Sequence, residues 1–235
     1  VIARRVKDID YVLLPGADRK TTDIVIERNG AVTVRPPIGF SPEKVDAVVE
    51  SKRMWIYKNL AEWRDLNAAA VVREWVNGES FLYLGRSYRL SLVSDQDVDL
   101  KLLEGRFCLK RSLIDASGHE AAKRAFEEFY VAKGESRICQ RLDFFAPKVG
   151  VKPIGLKVKD IGYRWASCTK SNMLQFNWKC MMAPAKIIDY MVVHELCHIR
   201  HRNHDDAFWN EVDKVMPDYH ERKMWLKKHG AGLDL

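Results

Sequence analysis

Apolar residues fall into short alternating runs through the first half of the chain and into helical spacing toward its end. Residues 1–20 show no clear period. Ile24–Glu27 and Ala31–Val34 flank Arg28-Asn29-Gly30. Two β-branched runs around an Asn-Gly pair predict a hairpin. Ser41-Pro42-Glu43 carries a cap residue, a first-turn proline and an acid near the positive end of the helix dipole. The spacing of Val45, Val48, Val49, Ile56 and Leu60 predicts one helix from there to about Asn67. Short strands are expected at 80–84, 88–92, 99–103 and 106–109, then a helix over about 120–142. Strands follow at 154–158 and 174–178, and the chain is helical from Pro184. The order predicts an α+β fold with an antiparallel or mixed sheet. The expected division is a β-rich N-terminal portion with one helix, 1–110, and a catalytic portion, 111–235, with one continuous domain as the alternative.

Composition narrows the class. In 235 residues, 47% hydrophobic and 30% charged is an ordinary globular balance. No apolar run approaches the roughly 18 residues of a membrane span. The N-terminus has charge but no following apolar stretch, so no secretory signal or membrane association is expected. The five cysteines form no Cys-x-x-Cys pair and are odd in number. This argues against a disulfide framework or a structural zinc finger and for a reducing, cytoplasmic setting. The net charge of +7 is spread along the chain and reads first as a solvated basic surface. Weak association with nucleic acid is the other reading.

Six of the seven histidines lie between His194 and His229. Within Tyr190-Met191-Val192-Val193-His194-Glu195-Leu196-Cys197-His198, the two histidines stand four apart on one helical face. Both imidazoles can reach one ion with Zn–N bonds of about 2.0–2.1 Å. Glu195 stands one step round the helix, placed to take a proton from a zinc-activated water. That division of labour is the mechanical content of His-Glu-x-x-His.

A catalytic zinc needs a third protein ligand. The candidates are His201, His204, Glu211, His220 and Glu221. His201 falls nearly on the same helical line as His194 and converges poorly with it. His204 follows Arg202-Asn203, and asparagine tolerates the left-handed turn that would swing His204 back over the metal. Asp205 can then cap a helix that faces Phe208, Val212 and Val215 inward. His194, His198 and His204 are therefore the expected ligands. Glu211 is the rival to His204, with an exposed helix face as its plainer role.

The run from His194 to His204, followed by Phe208-Trp209, resembles the YgjP-like metallopeptidase family, a bacterial and archaeal group related to the SprT and WLM proteases. A second block fits the same family: Tyr163-Arg164-Trp165-Ala166-Ser167-Cys168, Asn177-Trp178, Met182-Ala183-Pro184 and Asp189-Tyr190. So does Met216-Pro217-Asp218-Tyr219 with Trp225-Leu226. The resemblance covers roughly Thr22 to His229 and is strongest from Gly162 to Trp209. It implies a zincin-like fold, with the motif helix behind a sheet whose edge strand borders the cleft. It also implies zinc ligands His194, His198 and His204 with Glu195 as general base. One departure is Ala166, where the family commonly has glycine. Alanine there is strained if that glycine needs positive φ, and narrows the cleft if the glycine admits substrate.

The expected activity is hydrolysis of peptide or amide bonds in a peptide or protein substrate. Residues 154–158 or 174–178 are candidates for the strand on which an extended substrate would pair. Tyr219, His220 and Arg222 are candidates to stabilise the oxyanion. Trp165 and Trp178 read as core or cleft wall, and Cys197 and Cys168 as core. Three other readings stand beside this one: a nucleic-acid-associated zinc protein or SprT-like protease acting on DNA-bound proteins, a zinc scaffold without turnover, and a small-molecule amidohydrolase.

Overall fold

The computed structural model describes residues 2–26, 30–67, 73–162 and 164–235. The turn residues Arg28 and Asn29, and Tyr163, lie outside them. The chain divides into two compact units, Val1–Ala70 and Val71–Leu235.

The first unit holds a four-stranded sheet: β1 (Ile2–Val6), β2 (Ile9–Leu13), β3 (Asp23–Ile26) and β4 (Val32–Arg35), in the order β1-β2-β4-β3. Ile24 pairs antiparallel with Val34, in the register the expected hairpin requires. β1 and β2 arise where the sequence shows no period. β1 is an edge strand with few inward positions, and the turn joining it to β2 uses Lys7 at φ 53 instead of a glycine. The single helix expected to Asn67 is two, α1 (Pro42–Ser51) and α2 (Arg53–Asn67), broken at Lys52. The Ser41 side chain caps α1 by accepting from the Lys44 amide. Ile9, Tyr11, Val32, Val34, Val45, Val49 and Ile56 form this unit's core.

In the second unit, β5 (Ser80–Tyr83), β6 (Arg86–Val93), β7 (Leu100–Leu103) and β8 (Arg106–Lys110) form a sheet ordered β5-β6-β8-β7. The sequence grouped these strands with the N-terminal portion. They share their core with the long helix α3 (Arg111–Val149), where Phe81 stacks on Phe126 at 4.4 Å and Phe107 lies 4.9 Å from Phe126. α3 is kinked at Gly118 (φ 67, ψ −161), which ends one helix and begins the next. It runs past the expected end to Gly150, a left-handed cap at φ 70 that only glycine adopts readily.

A second sheet is ordered β10-β11-β9: β9 (Gly155–Lys159), β10 (Ala166–Cys168) and β11 (Met173–Asn177). β11 is parallel to β9 and antiparallel to β10. Of the two strands considered for substrate pairing, 174–178 falls in the centre of the sheet. β10, too short and polar to signal itself in the sequence, is an edge. Trp178 leaves β11 for a short 3-10 helix and stacks on Tyr130 at 5.8 Å, a core role.

The motif helix α4 (Ala185–Cys197) starts after Pro184 and buries Ile187, Ile188, Met191, Val192 and Leu196. An Arg141–Asp189 pair, with bonds of 2.6 and 3.0 Å, joins it to α3. α5 (Asp206–Val215) and α6 (Tyr219–His229) complete the unit.

Candidate metal centre

α4 ends sooner than the spacing suggested. His198 is its C-cap, and the next residues tighten through Ile199 N–H to Leu196 O (3.1 Å) and Arg200 N–H to Cys197 O (3.1 Å). His201 is therefore off the helix. It stands away from the cluster because the chain has turned, not because it is collinear with His194. Asn203 does not take a left-handed conformation, so the turn is made by these tight bonds instead. Asp205 caps α5, its Oδ1 accepting from the Phe208 amide at 3.0 Å.

The result brings three imidazoles together. His204 Nε2 lies 3.0 Å from His194 Nε2 and 3.0 Å from His198 Nε2. One nitrogen from each ring lies within 4.8 Å of the others. Around a tetrahedral zinc with bonds of 2.0–2.1 Å, ligand nitrogens would stand about 3.3 Å apart. His198 Nδ1 lies 2.9 Å from the His201 carbonyl. Nδ1 must be the donor there, so the neutral ring turns the lone pair of Nε2 into the cluster. A single Nε2 proton on His204 could satisfy one neighbour, not both. The donor set is thus one of converging lone pairs, which suits a cation.

The electrostatics agree. Burial, then His198, His204 and Lys223, drive the His194 pKa down to about 2. Burial, His198 and Lys223 lower His204 to about 4, against a small opposing effect of Asp205. Burial lowers His198 also, partly offset by the His201 carbonyl. All three rings are neutral near pH 7, the form that binds a metal.

Glu195 is 5% exposed. Burial raises its pKa to about 8, with Arg164 and the Cys168 amide pulling the other way. The Cys168 amide belongs to β10, so the edge strand is tied to the carboxylate. Glu195 Oε2 and His194 Nδ1 are buried without a hydrogen-bond partner. The β10 register fixes what that edge offers. The Asn177 amide donates to Trp165 O (2.8 Å) and the Thr169 amide to Met173 O (2.9 Å). By antiparallel alternation, residues 165, 167 and 169 face β11, while Ala166 and Cys168 turn their amides and carbonyls to the open edge. Ala166 has no positive φ, so alanine is unstrained there and only the narrowed approach remains.

Beneath the triad, Phe208 is fully buried 4.5 Å from the His198 ring. Trp209 stacks on His204 at 5.6 Å and on Tyr219 at 5.3 Å. Glu211, the rival third ligand, instead pairs with Arg200 (3.4 Å) and Lys214 (3.2 Å). Of the oxyanion candidates, Arg222 is engaged by Asp218 and the Lys186 carbonyl, and His220 is exposed against Tyr219. Glu221 is likewise exposed and outside the cluster. Cys197 is buried, while Cys168 is half-buried and accepts a bond from Arg202. Lys223, which sequence reasoning missed, sits 4.1 Å over the Trp209 ring. Its only signal was its place one turn after Tyr219.

Two imidazoles from the end of α4, a third from the loop after it, and a buried glutamate between the first two suit a metal-dependent hydrolase. Residues 20–229 match the YgjP-like metallopeptidase domain, and the chain belongs to that family. It is accordingly a hydrolytic metallopeptidase, and its class requires a metal ion. Two solved structures are similar in part. The metallopeptidase zymogen abylysin of Pyrococcus abyssi is 19% identical at a TM-score of 0.36, over 39% of this chain and 93% of that one. The zymogen jannalysin of Methanocaldococcus jannaschii is 20% identical at a TM-score of 0.35, over 38% and 92%. No curated protein is significantly similar to the chain. Among the described residues, no helix is long and apolar enough to cross a membrane.

Proposed function

We propose that the chain is a zinc peptidase of zincin-like arrangement, with α4 behind the β10-β11-β9 sheet. His194, His198 and His204 hold the ion, and Glu195 is the general base. The observation that carries this reading is the convergence of three neutral imidazoles, one locked in orientation by the His201 carbonyl. When bound, zinc polarises the scissile carbonyl and lowers the pKa of its water toward about 7.

The chain's own residues supply the rest. Burial favours the neutral Glu195 carboxyl in the metal-free chain, and a dication held by the three imidazoles would favour its anion. As the anion, Glu195 takes the proton of the attacking water on Oε2, the oxygen without a partner, and delivers it to the leaving amine. The Cys168 amide holds the carboxylate in place for both transfers. An extended substrate lies along β10, pairing with the outward amide and carbonyl of Ala166.

The test is metal analysis with peptide-library cleavage by the wild type and Glu195→Gln. About one zinc is expected in both, with cleavage reduced by roughly 10²–10⁴-fold in the variant. A wild type purified without chelators that holds no zinc would overturn the reading, as would a variant that cleaves normally.

A further inference from the structure

His204 is the exposed member of the triad, carried on the loop between α4 and α5. Its ring packs on Phe208 and Trp209. Arg202, two residues earlier, reaches across to the turn joining β10 and β11. Its guanidinium donates to Cys168 Sγ (3.3 Å), Thr169 O (2.9 Å), Lys170 O (3.4 Å) and Asn172 Oδ1. No acid is among these acceptors. A planar fork with five fixed donors suits several acceptors spread around one turn, as a single ammonium does not.

The turn is itself braced. The Asn172 amide donates to Thr169 O (3.0 Å) and the Met173 amide to Thr169 Oγ1 (3.0 Å), with Asn172 at φ 63. A rigid turn is a firm anchor for a loop. The same strand end contributes the Cys168 amide that holds Glu195.

We propose that Arg202 is a positioning residue for the third ligand: it pins the loop that carries His204 to the β10–β11 turn. Ligand loop, edge strand and motif helix then form one closed circuit, running from His204 through Arg202 and Cys168 to Glu195 and back along α4 to His198. This rests on reading the triad as zinc ligands. The arginine touches neither metal nor substrate; it acts by preorganising the site.

The experiment is a zinc competition titration against a chromophoric chelator, with chelator-driven release rates and melting of the metal-free protein. The variants are Arg202→Ala, Arg202→Lys, Asn172→Gly, the double variant Arg202→Ala/Asn172→Gly, and the exposed Arg86→Ala as control. Arg202→Ala should bind zinc about 10–100-fold more weakly, the usual range for loss of an outer-shell partner, and release it correspondingly faster. Its metal-free melting should not change, and saturating zinc should restore its cleavage rate. Arg202→Lys should recover little. Asn172→Gly removes one acceptor where glycine suits the backbone, and should lose several-fold in affinity. The double variant should be no weaker than Arg202→Ala alone. Zinc affinity in Arg202→Ala within about twofold of wild type would overturn the proposal, against the range above. Should Arg202→Ala prove unstable, Asn172→Gly decides, and unchanged affinity there overturns it. A wild type that binds no zinc would instead defeat the zinc reading itself.

Discussion

His198 ends α4 with its backbone while its ring is oriented by the residues that follow, two duties in one residue. Its Nδ1 is committed to the His201 carbonyl, so His201 matters through its backbone and not its ring. His204→Ala should abolish stoichiometric zinc binding, whereas Glu211→Ala should retain it and lose only the ion pairs to Arg200 and Lys214. Metal analysis of the two purified variants checks this. The buried titratable groups also set a pH dependence for the metal-free chain. The three histidines have folded pKa values below their ordinary 6.5. Their contribution to stability is complete above that value and is lost as pH falls. Glu195 is raised from 4.5 to about 8. Its contribution is complete below 4.5 and is lost as pH rises through 8. Metal-free protein should therefore melt highest near pH 6.5, about where the histidines have become neutral. Glu195→Gln should flatten the alkaline decline, measured by melting curves in chelator from pH 5 to 8.5. At this scale the sequence was most legible for His194, Glu195 and His198, because helical period alone puts them on one side of α4. Arg202 and Lys223 were not, since their partners lie far away in the chain.

At the scale of elements, the site depends on a strand of three residues. Ala166-Ser167-Cys168 has neither the length nor the alternation to announce a strand, and its pairing with β11 appears only in the fold. The runs at 154–158 and 174–178 were visible because each carries apolar residues over five positions, although β9, like β10, is an edge of its sheet. β1 escaped notice because none of its residues is buried, whereas β2 does bury Ile9 and Tyr11, in a run too short to show a period. The cap on α5 was legible because Asp205 acts within one turn. Since the Ala166 amide faces the open edge, Ala166→Pro removes no ladder bond. It should raise KM for extended peptides several-fold while zinc content stays at wild-type level. Steady-state kinetics on a peptide of eight or more residues, about a strand's length and a little over, would show it.

For the whole molecule, the larger of the two cores among the described residues runs from Trp75 to Leu233, within the second unit. The triad, β10 and α3 all belong to that core's unit. A chain of residues 71–235 should accordingly fold cooperatively and bind one zinc, as circular dichroism and metal analysis would register. The sequence placed its division at 110 because strands gave way to a helix there. Change of element type is a local signal, whereas a shared core, such as Phe81 against Phe126, is not. The stack of Trp209 on His204 carries one more consequence. Of the seven tryptophans, only Trp209 among the described residues lies against one of the three clustered imidazoles in this way. Its indole therefore senses the electronic state of that imidazole. Loading of the proposed centre should thus change Trp209 emission, which a fluorescence titration with zinc and then chelator would follow without any label.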